Sequence, residues 1–214
     1  MQRRTLITAL AMAGVASMAL LATPAPALAA APKLNGIDLT GSSLGPDLHL
    51  SYTNGKPASI RDFHGKLVLL FFGFTQCPDV CPTALARAVE IKRLLGADGQ
   101  RLQVLFATVD PERDTAPLLD AYMRAFDPGF IAVRGDKAQT ARTAGDFKIY
   151  YSKVPSGSSY TMDHTAITYV FDDKGAIRLA LRHEQTAEQC AADLRTLLQT
   201  PPKSTSNFLK GLFQ

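Results

Sequence analysis

Cysteine, histidine and net charge are all scarce in this chain, which has three cysteines, four histidines and a formal charge of +4 over 214 residues. Three cysteines cannot all pair, and Cys190 is far in sequence from Cys77 and Cys81, so the close pair stands apart. No cysteine lies near the small-residue site Ala27-Leu28-Ala29, which leaves attachment through a lipidated N-terminal cysteine without a candidate. Taking Arg3 and Arg4 away from 23 basic residues leaves 21 against 19 acidic ones, too small an excess for a nucleic-acid surface. No long low-complexity stretch interrupts the chain, and with 46% hydrophobic residues it is long enough for one domain with a proper core.

Arg3 and Arg4 precede an apolar run from Leu6 to Ala22, followed by Pro24, Pro26 and Ala27-Leu28-Ala29. The pattern is that of an export signal over residues 1–29, with an uncleaved membrane anchor as the other reading of a run of about 17 residues. In either case the domain faces outward, to the periplasm, free or held at the outer face of the inner membrane, and the N-terminal segment is its one membrane contact. The expected division is a linker over 30–44, the domain over 45–200 and a tail over 201–214. In the tail, Phe208, Leu209, Leu212 and Phe213 recur at helical spacing.

Residues 37–59 carry short alternating stretches and an Asn54-Gly55 turn signal, which predict an N-terminal β-hairpin. Leu67–Phe72 and Leu102–Val109 are continuous apolar runs suited to buried parallel strands, and helix-like stretches follow each, Pro82–Leu95 and from Thr115 through Phe126. A short strand Ile131–Val133, a helix Lys137–Asp146 and a Ser/Gly-rich loop from Pro155 to Ser159 lead to a strand Ile167–Phe171. Asp172-Asp173-Lys174-Gly175 turns into a strand Ala176–Leu181, and a last helix covers Thr186–Leu198. This order describes an α/β chain of thioredoxin-like fold, a mixed central sheet flanked by helices.

Cys77-Pro78-Asp79-Val80-Cys81-Pro82 falls between a buried strand and a helix N-terminus. Unpaired N–H groups there favour thiolate over thiol, and a four-residue separation on a helical turn puts the Cα atoms about 6 Å apart, within disulfide range. Metal binding and reversible disulfide chemistry are therefore both open; a permanent structural disulfide closing so short a loop adds little stability. His164 immediately precedes a buried strand, where a thioredoxin-like layout brings it beside the cysteine turn. Two thiolates and an imidazole suit copper, above all Cu(I), which accepts three ligands, whereas structural zinc takes a fourth. Asp79 and Asp163 are candidates for orienting a ligand, and Met162 for filling a packing gap. His49, His64 and His183 read as surface residues, and Cys190 as part of the buried stripe Ala187, Ala191, Leu194 and Leu198.

Together, Gly65-Lys66 and its apolar strand, Phe72-Gly73-Phe74-Thr75, Cys77-Pro78-Asp79-Val80-Cys81-Pro82, Val109-Asp110-Pro111-Glu112-Arg113-Asp114-Thr115 and Asp163-His164 resemble the SCO/SenC family over residues 45–198. The resemblance implies a copper metallochaperone that assists assembly of the binuclear copper A centre of a cytochrome c oxidase subunit, with Cys77, Cys81 and His164 as ligands of Cu(I) or Cu(II). A periplasmic copper donor and the copper-bearing oxidase subunit are the partners it implies. The Asp110-to-Thr115 motif is explained by a strand end, a proline and a helix cap. The alternative is a thiol-disulfide reductase in which Cys77 and Cys81 are the redox-active pair. Common reductases of this fold have two residues between the cysteines and a proline before the facing strand; here three intervene and no proline stands just ahead of Ile167. A peroxidase pattern would need threonine at 74 or 78, where Phe74 and Pro78 stand.

Overall fold

The computed structural model describes residues 33–199. The expected export segment 1–29 and the tail 201–214 lie outside the described residues. The two continuous apolar runs become β3 (Leu67–Gly73) and β4 (Leu102–Thr108), every residue of which is buried. They pair in parallel from Leu67 with Leu102 to Gly73 with Thr108. Apolar side chains on both faces require cover on both faces, which places these strands at the centre of the sheet.

Seven strands form that sheet. β5 (Ile131–Arg134) runs parallel to β4, while β8 (Ile167–Phe171) and β9 (Ile177–Arg182) add antiparallel beyond β3. Two-residue strands close the edges, β1 (Ile37–Asp38) on β9 and β2 (Ser51–Tyr52) on β5. The hairpin expected over 37–59 forms only around its Asn54-Gly55 turn, over residues 50–58, while Ile37–Asp38 pairs at the opposite edge of the sheet. Unpaired backbone groups on β9 and β5 offer these two-residue edge strands a partner. The Asn54-Gly55 turn survives: Gly55 N–H donates to the Tyr52 carbonyl, Tyr52 N–H to that of Lys56, and Ser51 bridges Pro57. Part of the expected linker is also tied down, with the Asn35 and Gly36 N–H groups donating to the Asp193 carboxylate at 2.9 and 2.8 Å.

Helix α1 (Val80–Leu94) begins two residues ahead of the expected start, so Cys81 is itself helical. Thr115 caps α2 (Ala116–Phe126) by accepting from Leu118 N–H, and Asp136 with Gln139 forms a capping box for α3 (Lys137–Asp146). The closing helix is α4 (Ala187–Gln199). Leu69, Phe71 and Val104 meet Leu85, Ala88 and Ile91 of α1 on one face of the sheet. On the other, Phe147 at the end of α3 packs on Phe72, Tyr169 and Phe171, with ring centroids 5.3, 5.5 and 6.1 Å apart. Among the described residues no helix is long and apolar enough to cross a membrane.

The stretch expected as a loop before His164 is instead a second, two-stranded sheet. β6 (Tyr151–Ser156) and β7 (Ser159–His164) pair from Tyr151 with His164 to Ser156 with Ser159, turning at Gly157, whose φ of 59° suits glycine.

Candidate metal centre

The site forms where three chain segments end. β3 leads through buried Phe74 into a turn, α1 opens at Val80, and β7 finishes at His164. Because Thr165 and Ala166 alone separate β7 from β8, and β8 pairs with β3, His164 is delivered beside the mouth of the cysteine turn. The two sulfurs and an imidazole nitrogen all lie within 4.8 Å of one another.

Cys77 is half-buried and Cys81 fully buried, and both thiols are free. Cys77 N–H donates to the Phe74 carbonyl at 3.3 Å, closing the turn, and Cys81 N–H points at the Cys77 sulfur at 3.4 Å. That contact is a donor of a helix N-terminus aimed at a sulfur. Cys81 behaves differently. Burial pushes its thiol well above the ordinary range, against hydrogen bonding from the Phe74 backbone, so the helix end alone does not ionise it. A cation bound at the site would supply the missing positive charge.

His164 Nε2 lies 3.5 Å from the Cys81 sulfur and Nδ1 lies 3.2 Å from the Thr165 carbonyl. With Nδ1–H donating to that carbonyl, the Nε2 lone pair faces the thiols. The rings of Phe71 and Phe74 meet the imidazole edge-on, 6.0 and 5.9 Å between centroids. Burial holds the imidazole below its usual range, partly offset by the Thr165 carbonyl and the Asp163 charge, so it stays neutral and able to ligate. Two sulfurs and one nitrogen within reach of one point, with no fourth His, Cys, Asp or Glu in the group among the described residues, match the three-coordinate preference of Cu(I) better than a closed zinc site.

The remaining candidates sort out by position. Asp79 is exposed at the head of α1 and accepts from Thr83 Oγ1 at 3.4 Å; Asp163 is exposed and acts on His164 only through its charge. Met162 is buried in the core. His49 is exposed and pairs with Asp146 at 2.9 Å, and His64 is exposed. His183 departs from the surface reading: it is half-buried, its carbonyl accepting from Arg87 of α1. Cys190 is wholly buried in the core, as its stripe predicts.

Two residues matter that spacing did not reveal. A Cβ on Gly73 would meet the Cys81 sulfur at 2.8 Å and Phe106 Cε2 at 2.9 Å, so only glycine leaves room for the thiol. Asp114 is completely buried, accepting from Thr75 N–H at 3.2 Å, from Thr75 Oγ1 at 2.6 Å and from Thr108 Oγ1. The capping account of the Asp110-to-Thr115 motif holds for Thr115 but leaves this carboxylate unexplained; it ties the cysteine turn to the end of β4. Burial raises the Asp114 carboxyl against the pull of those donors.

Residues 38–199 match the SCO1/SenC family model. The SCO2-like protein of Rickettsia felis is 33% identical over 171 residues, covering 78% of this chain and 76% of that protein. The copper-bound ScoI of Bradyrhizobium japonicum is 39% identical, with a TM-score of 0.65 over 72% of this chain and 99% of that one. Copper-bound yeast Sco1 is 26% identical, with a TM-score of 0.69 over 78% and 94%. A match along three quarters of its length, built around one Cys-Cys-His group, places the chain in the SCO1/SenC family.

Proposed function

We propose that this protein is a copper metallochaperone: Cys77, Cys81 and His164 hold one copper ion and pass it to the binuclear copper A centre of a cytochrome c oxidase subunit. The observation that carries the reading is the convergence of two thiols and a neutral imidazole within 4.8 Å of one another. The copper-bound relatives support the choice of metal. Three ligands leave Cu(I) open to an incoming thiolate, and half-exposed Cys77 gives a partner its approach. Without the ion, the neutral His164 ring rests against Phe71 and Phe74. The setting is the periplasm, which the export pattern of residues 1–29 supports.

A second reading has its own observation, the proximity of two free thiols of unequal exposure. Cys77 thiolate attacks a partner disulfide and releases one partner thiolate. Cys81 then displaces the second, leaving a reduced partner and a Cys77–Cys81 disulfide. Copper delivery needs the same reduced thiols, so the two activities share one state of the protein.

The deciding experiment loads the reduced protein with Cu(I), applies a competing chelator and measures copper per chain, for wild type and His164→Ala. Retention of about one copper by wild type and its loss in the variant supports the three-ligand site. Equal, weak binding by both moves the reductase reading ahead.

A further inference from the structure

We propose that Arg113 is a positioning residue for copper, holding the hairpin that carries His164 at a fixed separation from the cysteine turn; this rests on the copper reading above. β6 and β7 hydrogen-bond as a sheet only to each other and make no ladder with the main sheet. β6 is largely exposed, with Val154 40% exposed. The short link to β8 places the end of β7, but how the hairpin ahead of it is held against the cysteine turn is left to side-chain contacts.

One guanidinium reaches both sides. Arg113 Nη1 donates to the Tyr160 carbonyl of β7 at 2.7 Å and to Gln76 Oε1 at 3.1 Å, and Gln76 directly precedes Cys77. The guanidinium lies 3.7 Å from the centre of the Tyr160 ring and 5.9 Å from that of Phe74, a ring that also meets the His164 imidazole. Its Nε donates to Asp110, a carboxylate 1% exposed, which also accepts from Tyr160 Oη at 2.9 Å. Tyr160 is thus gripped at its carbonyl, its ring and its hydroxyl, four residues ahead of His164 on the same strand. Lys153 and Glu112 also link hairpin to body, but that exposed ion pair contributes little.

The consequence lies in ligand ordering. Two ligands share α1 and its preceding turn, while the third arrives on a separate sheet, so without Arg113 the imidazole would be ordered at the expense of copper affinity. A planar fork that bonds three acceptors and stacks on a ring is not reproduced by an ammonium.

The test measures Cu(I) affinity by chelator competition for wild type, Arg113→Ala, Arg113→Lys, His164→Ala and the double variant Arg113→Ala/His164→Ala, with thermal unfolding of each apoprotein. Arg113→Ala is expected to weaken copper by about 10- to 100-fold, and Arg113→Lys to fail to restore it. In the His164→Ala background the same substitution should change affinity by less than about 2-fold, since the ligand it positions is gone. Gln76→Ala, at an exposed position that leaves the fold alone, should cost about 2- to 10-fold. Unchanged affinity in Arg113→Ala and Gln76→Ala, or an equal loss with and without His164, overturns the proposal. A wild type that holds no copper overturns the function reading as well, and is told apart because it needs no Arg113 variant.

Discussion

A methyl group on Gly73 would sit 2.8 Å from the sulfur of Cys81, so the last residue of the central strand and the buried thiol are fitted to each other. Phe106 closes the same space at 2.9 Å, and the core around it has little room to yield. Gly73→Ala should therefore displace the thiol. We expect the apoprotein to lose about 1–3 kcal/mol by overpacking and copper affinity to fall further than stability alone explains. Denaturant unfolding and chelator competition on the same preparation check both.

His164 makes stability depend on pH in a definite direction. Burial holds its folded-state value below the usual imidazole range, so near the ordinary value of about 6.5 the unfolded chain binds the proton more readily. The apoprotein should accordingly lose stability as pH falls through that value, and keep the full contribution above it. His164→Gln should flatten this part of the profile, because His49, His64 and His183 remain in both proteins. Thermal midpoints of the two apoproteins from pH 8 to pH 5 make the comparison; parallel profiles would refute the assignment.

What could be read from sequence follows the strength of the local signal. Two runs buried on both faces, β3 and β4, announce themselves by continuous apolar residues, and α2 by its cap at Thr115. Cys77 and Cys81 were legible because they fall between β3 and a helix start, and His164 because it immediately precedes the buried strand β8. The β6–β7 hairpin was not, because Pro155, Ser156, Gly157 and Ser158 read as loop and its exposed strands carry no alternating apolar face. The sheet partners of β1 and β2 were not legible because a two-residue strand has no pattern to specify a partner. Gly73 and Asp114 act through contacts that only the folded sheet creates, the Asp114–Thr75 bond spanning 39 residues.

Asp114→Asn tests the anchor beneath the cysteine turn. The carboxylate accepts from the Thr75 backbone, the Thr75 hydroxyl and the Thr108 hydroxyl, and an amide must turn one of its own N–H groups toward these donors. Leaving a buried donor without an acceptor costs about 1–3 kcal/mol. We expect a lower thermal midpoint and faster hydrogen exchange at the Thr75 amide, with the α3 amides unaffected. Unaltered exchange at Thr75 would show that the turn is held by something else.

The unequal burial of the two thiols should appear in their reactivity. Cys77 is half-exposed and has an N–H aimed at its sulfur, while Cys81 is wholly buried and pushed toward the thiol form. Alkylation proceeds through the thiolate and needs access, so both factors favour Cys77. In the reduced apoprotein near neutral pH, iodoacetamide should modify Cys77 first and Cys81 only slowly, with Cys190 reacting only on unfolding. Peptide mass spectrometry over a time course resolves the three sites. Bound copper should suppress modification of both Cys77 and Cys81 and leave Cys190 unchanged. If copper protects neither thiol, the metal is held elsewhere; if it protects Cys77 alone, Cys81 is not a ligand and its burial serves only the core.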